Sequence, residues 1–145
     1  MSERQAVHAT FVIERNYPAA PKRVFHAWAD RQAKAKWFPA GDVFDFRVGG
    51  REFNKGKAPN GNVYTYDARY EDIVPGERIV YSYYMLMNDQ RISVSVSTVE
   101  FKPSGTGTKL VYTEQGVFLD GLDESKFREH GTGELLNALG KVLEG

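Results

Sequence analysis

The sequence predicts an α+β fold: one strand and two short helices, then a six-strand antiparallel meander, then a long C-terminal helix. Three observations support this prediction. Segments of alternating apolar and polar residues fill positions 43–118 and are joined by connections too short for parallel crossovers. A proline at position 21 fits the first turn of a helix. Apolar residues recur at helical spacing from Asp123 to the C-terminus.

The first elements follow one another closely. Residues 8–17 alternate and include β-branched and aromatic side chains, which favours a strand. Pro21 opens the first helix because its missing N–H costs nothing in the first turn. Asp30 is predicted to cap a second short helix that runs through Lys36, before Pro39 and Gly41 end it.

Turn signals then divide the middle of the chain into six strands. The turns are predicted at 49–50, 59–61, 75–76, 88–91 and 103–107. The strands between them are predicted at 43–48, 51–57, 63–74, 77–87, 92–102 and 108–118.

The C-terminal helix carries three glycines, at positions 131, 133 and 140. Each costs about 1 kcal/mol relative to alanine in a helix interior. Either the helix is weak or bent, or side chains are absent where it faces a cavity. Its predicted buried stripe is Phe127, Leu135, Leu139, Val142 and Leu143, with Leu136 and Ala138 at the margin.

Composition excludes several classes of protein. The chain has 145 residues and no cysteine, and its 19 Lys plus Arg balance 19 Asp plus Glu. The length indicates one domain, residues 1–145. Without cysteine there is no disulfide, thiolate nucleophile or cysteine metal site. Without net charge no global field attracts nucleic acid or an anionic membrane. Residues 1–10 are polar and no apolar run approaches ~20 residues, so we expect a cytoplasmic protein without membrane insertion.

Aromatic residues are abundant, 13% of the chain, and the strand register predicts where they lie. A two-residue turn at 75–76 pairs, on one face, Tyr70 with Tyr81, Ala68 with Tyr83, Tyr66 with Met85 and Tyr64 with Met87. Nearer the turn it pairs Asp72 with Ile79 and Val74 with Glu77.

Extending this register across positions 88–91 places the next strand's apolar residues on the same face. Ile92, Val94 and Val96 then point inward, the serines between them point outward, and a bulge is expected near Thr98. Tyrosine and methionine suit an adaptable pocket better than a packed core, because a buried phenol needs a hydrogen-bond partner. The alternative is that these rings simply pack beneath the C-terminal helix.

Several segments resemble a known family. They are Ala-Pro-Lys-Arg-Val-Phe-His-Ala-Trp-Ala-Asp at 20–30, Lys-Trp-Phe-Pro at 36–39, Asp-Phe-Arg-Val-Gly-Gly-Arg at 45–51, the stretches 74–79 and 107–110, and His130-Gly131 followed by three leucines. Together they resemble the bacterial relatives of the activator of the ninety-kilodalton heat-shock chaperone ATPase.

That resemblance implies a helix-grip fold, a curved antiparallel sheet of about seven strands wrapped around the last helix. It places the chain in the SRPBCC superfamily of START and polyketide-cyclase-like domains, with a cavity between sheet and helix. Many members carry a tryptophan just after the histidine of that helix. Here the stretch is Gly131-Thr132-Gly133, which enlarges the expected cavity if the glycines face inward.

The predicted cavity wall combines the aromatic face with residues from the short helices and the last helix. Its members are Trp28, Trp37, Phe38, Phe53, Tyr64, Tyr66, Tyr70, Tyr81, Tyr83, Met85, Ile92, Val94, Val96, Tyr112, Phe127, His130, Gly131 and Leu135.

His130 is the best candidate for catalysis, because its helix is expected to cover the cavity and an imidazole titrates near neutral pH. Glu114 and Glu134 are its candidate carboxylate partners, Glu134 lying one helical turn away. The alternative is a structural histidine beside a solvated glutamate. No metal-ligand spacing or nucleophile motif accompanies these residues.

Three functions stay open. The favoured one is binding of a small, mostly apolar molecule, aromatic or lipid-like, with no cofactor and no metal. The second is a cofactor-free enzyme of the cyclase or hydrolase type that uses His130 with a carboxylate. The third and least favoured is an interaction module for a chaperone ATPase. A homodimer is also open, because such small domains often expose an edge strand.

Overall fold

The computed structural model describes residues 4–144, so residues 1–3 and 145 of the predicted domain lie outside the described residues. The strands are β1 (Ala6–Tyr17), β2 (Val43–Phe44), β3 (Arg51–Lys57), β4 (Val63–Val74), β5 (Arg78–Met87), β6 (Gln90–Ser104) and β7 (Gly107–Leu119). The helices are α1 (Pro21–Ala29), α2 (Arg31–Lys34) and α3 (Ser125–Glu144).

All seven strands form one antiparallel sheet in the order β1-β7-β6-β5-β4-β3-β2. Strands β2 to β7 are neighbours in the sheet in the order of the chain. The last strand, β7, then pairs with the first strand, β1. The inner face of the sheet packs against α3, where the Tyr17 hydroxyl donates to the Leu136 carbonyl at 2.7 Å. The predicted α+β helix-grip fold is therefore confirmed. No helix among residues 4–144 is both long and apolar enough to span a membrane.

The two short helices begin as predicted. Pro21 occupies the first position of α1, and the Asp30 carboxylate caps α2 by accepting from the Ala33 N–H at 2.9 Å. The following elements are shorter than predicted. Helix α2 ends at Lys34, and β2 ends at Phe44 because residues 45–50 fold into a tight loop with internal backbone hydrogen bonds.

The β4–β5 hairpin has the predicted pairs from Tyr64–Met87 to Tyr70–Tyr81. The pairs nearer the turn were predicted wrongly, because a bulge after Tyr70 lengthens β4 by one residue. The turn is also one residue longer, and Gly76 supplies its positive φ of 75°. As a result Ile73 is the register partner of Ile79. Asp72 turns outward, and its Oδ2 atom forms a salt bridge with Nε of Arg78 at 2.7 Å.

The register of β6 differs from the prediction by one residue. Its bulge lies at Ile92 rather than near Thr98, because Leu86 pairs with Arg91 and Met85 pairs with Ser93. The inward side chains are therefore the serines Ser93, Ser95 and Ser97, each at most 2% exposed. The predicted inward valines, Val94 and Val96, are 41% and 39% exposed on the outer face.

The buried stripe of α3 consists of Leu136, Leu139 and Leu143, and Phe127 is 61% exposed. The three glycines differ in their surroundings. A Cβ at Gly131 would meet open space, whereas one at Gly140 would lie 3.3 Å from the Tyr17 ring. Gly133 faces Arg15 on the outer side. Only Gly131 therefore fits the explanation that a side chain is missing where the helix faces a cavity.

Candidate functional site

A cavity of about 370 Å³ lies between the inner face of the sheet, the α1–α2 segment and α3. Thirteen of the residues predicted to line it are on its wall: Trp28, Trp37, Phe38, Tyr64, Tyr66, Tyr81, Tyr83, Met85, Ile92, Tyr112, Phe127, Gly131 and Leu135. Sequence reasoning missed seven others: Pro39, Asn54, Leu122, Asp123, Arg128, Thr132 and Leu136.

Two predicted wall residues of β3 and β4 lie elsewhere. Phe53 points to the outer face, where the Arg51 guanidinium stacks 4.7 Å from its ring, because strand alternation turns Glu52 inward instead. Tyr70 is on the inner face but packs beyond the cavity, with its ring 4.8 Å from that of Phe46. Val94 and Val96 are excluded by the register of β6.

His130 also lies outside the cavity. Its side chain is 78% exposed, and its Nε2 atom is 3.7 Å from Oε1 of Glu134 on the same helix. Helix periodicity explains this, since positions 128, 131, 132 and 135 of α3 face the cavity while 129, 130, 133 and 134 face an outer groove. The expected placement of His130 beside Glu114 in the cavity was wrong, because His130 faces solvent, whereas Glu114 of β7 is buried beside Arg128, on the other face of α3.

The aromatic wall is a continuous series of rings in mutual contact. The Trp28 and Trp37 centroids are 4.7 Å apart, and Phe38 meets Tyr66 at 5.4 Å. Tyr66 in turn meets Tyr83 at 5.0 Å. Rings that contact one another edge-on or tilted hold each other's orientation, so the wall offers a preformed apolar surface.

A polar group that we call the Glu114 cluster joins three wall residues, Tyr83, Tyr112 and Arg128, to the buried residues Glu114 and Ser97 behind them. The Glu114 carboxylate accepts hydrogen bonds from Tyr112 at 2.7 Å, Tyr83 at 2.8 Å and Ser97 at 3.3 Å. Its side chain is 1% exposed, and the nearest cation is Arg128 at 3.5 Å. Three hydroxyls and one guanidinium thus surround a carboxylate that would otherwise be costly to bury.

Arg128 belongs both to this cluster and to the wall of the cavity. Its guanidinium donates to the Tyr83 hydroxyl at 3.0 Å, to Ser93 Oγ at 2.9 Å and to the Asp123 carboxylate. It also lies 5.4 Å from the Phe118 ring. A signal for Arg128 was present in the sequence: Glu114 interrupts an inward row of apolar residues, and a buried carboxylate needs a cation.

Burial sets the protonation of the cluster. It raises the pKa of Tyr83 above the ordinary value, and the Glu114 charge raises it further. Burial, Tyr81 and Glu114 do the same to the pKa of Tyr112. Burial alone would lower the pKa of Arg128, but contacts with Tyr83, Glu114 and Asp123 outweigh it and raise that pKa. The phenols are therefore neutral donors and Arg128 stays charged.

Some polar groups of the wall have no hydrogen-bond partner among residues 4–144. One is Trp28 Nε1, which is buried without a hydrogen bond, in contrast to Trp37 Nε1, which donates to the Ala27 carbonyl at 3.0 Å. The others include the hydroxyls of Thr132 and of Tyr66, a wall residue that is 8% exposed. The cavity therefore presents an unused phenol within an aromatic surface.

A second buried polar group, the Glu52 cluster, consists of Lys34, Glu52 and Tyr70. Lys34 Nζ and the Tyr70 hydroxyl each donate to Glu52 Oε1 at 2.6 Å. Burial lowers the pKa of Lys34 below its ordinary value, with Glu52 opposing this shift. Because Lys34 belongs to α2 and Glu52 to β3, the pair fastens the short helix to the strand next to the edge of the sheet.

Comparisons with known proteins agree with this architecture. Among solved structures, the Mll3558 protein from Rhizobium loti is 50% identical, with a TM-score of 0.92 over 96% of this chain and 99% of that chain. An uncharacterised protein from Rhizobium leguminosarum is 44% identical, with a TM-score of 0.92 over 99% of each chain. CalU16 from Micromonospora echinospora, at 22% identity and a TM-score of 0.67 over 99% of this chain and 86% of that chain, shares the fold.

No protein with a curated description matches the chain. One family model does match, over residues 18–144, and its description is "Activator of Hsp90 ATPase homolog 1-like protein". The match takes in all three helices and β2 to β7, which together form most of the cavity wall. The chain therefore belongs to the family of Activator of Hsp90 ATPase homolog 1-like proteins.

Proposed function

We propose that this protein binds a small, mostly apolar molecule, aromatic or lipid-like, in the cavity between the sheet and α3. The observation that carries the proposal is the cavity itself: about 370 Å³, walled mainly by aromatic and aliphatic side chains with few polar groups. Ligand sites in proteins have this character, with volumes of about 300–1,000 Å³ and a small number of placed polar atoms.

Binding fits the wall better than catalysis does. Asp123 and Arg128 are the only charged side chains of the described wall, and they are bonded to each other. The enzyme alternative relied on His130 reaching the ligand, but that side chain is 78% exposed in the outer groove. These positions support ligand binding in the cavity rather than acid–base catalysis.

The test uses the uncharged fluorophore N-phenyl-1-naphthylamine, whose emission rises in apolar surroundings. We expect saturable enhancement with the natural protein and its loss in Gly131→Phe, because a ring at that position fills open space in the cavity. Gly131→Ala is the matched control, since it removes the same glycine without filling the cavity. Equal enhancement in all three proteins would show that the probe binds elsewhere and would contradict the proposal.

A second candidate function, contact with a chaperone ATPase, is favoured by the family description alone. It is tested by adding the protein to a bacterial ninety-kilodalton heat-shock chaperone and measuring ATP hydrolysis. Stimulation that survives Gly131→Phe would assign this role to a surface other than the cavity. An unchanged rate of hydrolysis, with no complex detected by gel filtration, would exclude the activator role for that chaperone.

A further inference from the structure

The charges around the cavity carry information about its ligand. Arg128 has two carboxylates as partners, Asp123 through a hydrogen bond and Glu114 at 3.5 Å. One cation between two anions leaves a formal charge of −1 at this end of the cavity. The terminal nitrogens of Arg128 are also engaged by Tyr83 and Ser93, so little donor capacity remains for an anionic ligand.

The other nearby cation is neutralised as well. Lys34 Nζ lies 4.4 Å from the Phe38 ring centroid, behind the wall, but it is bonded to Glu52 at 2.6 Å. This pair contributes no net charge to the cavity. A carboxylate placed among these rings would lose its water and gain no free cation, and an uncompensated buried charge is strongly disfavoured.

The wall nevertheless has a hydrogen-bonding group to offer. Tyr66 sits between Phe38 and Tyr83 in the series of rings, and its hydroxyl has no partner among residues 4–144. Since a phenol can both donate and accept, a neutral hydroxyl or carbonyl on a ligand would satisfy it.

We therefore propose, on the basis of the function proposed above, that the cavity selects an uncharged aromatic ligand whose hydroxyl or carbonyl group bonds to Tyr66, and that it rejects carboxylates. Fatty acids and aromatic acids are excluded by the two carboxylates around Arg128. Phenols and aryl ketones of about the size of naphthalene are the chemical class that fits.

The test measures displacement of N-phenyl-1-naphthylamine at pH 7 by three probes of matched shape: naphthalene, 2-naphthol and 2-naphthoate. We expect 2-naphthoate to bind on the order of tenfold or more weakly than 2-naphthol, because placing like charges together is costly. Tyr66→Phe is expected to weaken binding of 2-naphthol about fivefold relative to binding of naphthalene, the usual value of one hydrogen bond.

Asp123→Asn is expected to raise the affinity for 2-naphthoate relative to that for 2-naphthol roughly tenfold, since it removes one of the two negative charges. Glu124→Gln is the matched control, because Glu124 is exposed and outside the wall. If Asp123→Asn does not fold, the comparison of probes on the natural protein and on Tyr66→Phe still decides the question.

The outcomes separate this inference from the proposed function. Equal affinity for 2-naphthol and 2-naphthoate would overturn the charge selection while leaving a binding cavity in place. Failure of all three probes to displace a fluorophore that Gly131→Phe excludes would overturn the ligand class alone. A fluorophore that binds Gly131→Phe as well as the natural protein would overturn both proposals.

Discussion

The Glu52 and Glu114 clusters contain the same types of residue but differ in the groups that compensate the buried carboxylate. In both, a glutamate on the inner face of a strand meets a cation from a helix and at least one phenol. Glu52 depends on Lys34 and a single hydroxyl, all with contacts of 2.6 Å. Glu114 has three hydroxyl donors within 3.3 Å, and its cation is more distant, at 3.5 Å.

This difference indicates that the Glu52 cluster stabilises the fold, whereas the Glu114 cluster also forms part of the cavity wall. The Glu52 cluster joins α2 to β3 through a cation that is 5% exposed, so its contribution is structural. The Glu114 cluster reaches the cavity wall through Tyr83, Tyr112 and Arg128. Its three hydroxyl donors compensate much of the cost of burying Glu114. Arg128 therefore also serves to hold the segment before α3 at the cavity wall, through its hydrogen bond to Asp123.

The largest expected effect is on the Glu52 cluster. Lys34→Met leaves Glu52 buried without its cation, which should lower the free energy of unfolding by about 3–5 kcal/mol. Urea denaturation measures this. The double variant Lys34→Met with Glu52→Gln should recover most of the loss, because no charge remains buried and the amide still accepts from Tyr70. A single variant as stable as the natural protein would show that the pair is dispensable.

A smaller loss is expected at the Glu114 cluster. Arg128→Leu should cost about 1–3 kcal/mol in the same experiment, because Glu114 keeps its hydroxyl donors and Asp123, 16% exposed, can reach water. Lys126→Leu, a change at an exposed cation two residues earlier on α3, is the control and should stay within about 0.5 kcal/mol. A loss as large as that of Lys34→Met would contradict the distinction between the two clusters.

The two clusters should respond alike to alkaline pH. Burial, and then the charge of Glu52, raises the pKa of Tyr70 above its ordinary value of 10.0. Above pH 10 the unfolded chain therefore releases a proton that the folded chain keeps, and stability falls as the pH rises. Tyr70→Phe, or Tyr83→Phe in the other cluster, should make this decline shallower by about 1.4 kcal/mol per pH unit. An unchanged slope would mean that the phenol ionises in the folded protein.

The smallest effect is expected at His130. His130→Ala should leave both stability and the affinity for N-phenyl-1-naphthylamine unchanged, within about 0.5 kcal/mol, because the side chain is exposed outside the cavity. Thermal denaturation and fluorescence titration measure the two quantities. A clear loss of affinity would show that His130 contributes to binding, and would contradict its placement outside the cavity that Arg128 lines.

Much of the fold was readable from local patterns. Alternation, turn residues and the proline at position 21 predicted the order of the elements, and the pairs from Tyr64–Met87 to Tyr70–Tyr81 follow from one hairpin. These features depend on residues close in sequence, where backbone geometry leaves few choices. The same patterns indicated an aromatic face opposite a helix with a glycine, and Gly131 does face the cavity.

The register of β6 depended on the tertiary structure. Alternating serine and valine fit either face of a sheet, and hydrophobicity alone favours valine inside. The serines are inside because two of them find partners from distant segments: Ser93 accepts from Arg128 of α3, and Ser97 contacts Tyr112 and Glu114 of β7. A pattern within one strand carries no information about such partners.

The sequence by itself determined the α+β architecture, the family resemblance and the aromatic character of the inner face, because these follow from local spacing and composition. The tertiary structure decided which way α3 turns, and so replaced His130 with Arg128 at the cavity. It also decided which charges neutralise one another. The physical reason is that a buried charge is tolerated only where distant segments bring its partners within hydrogen-bonding distance.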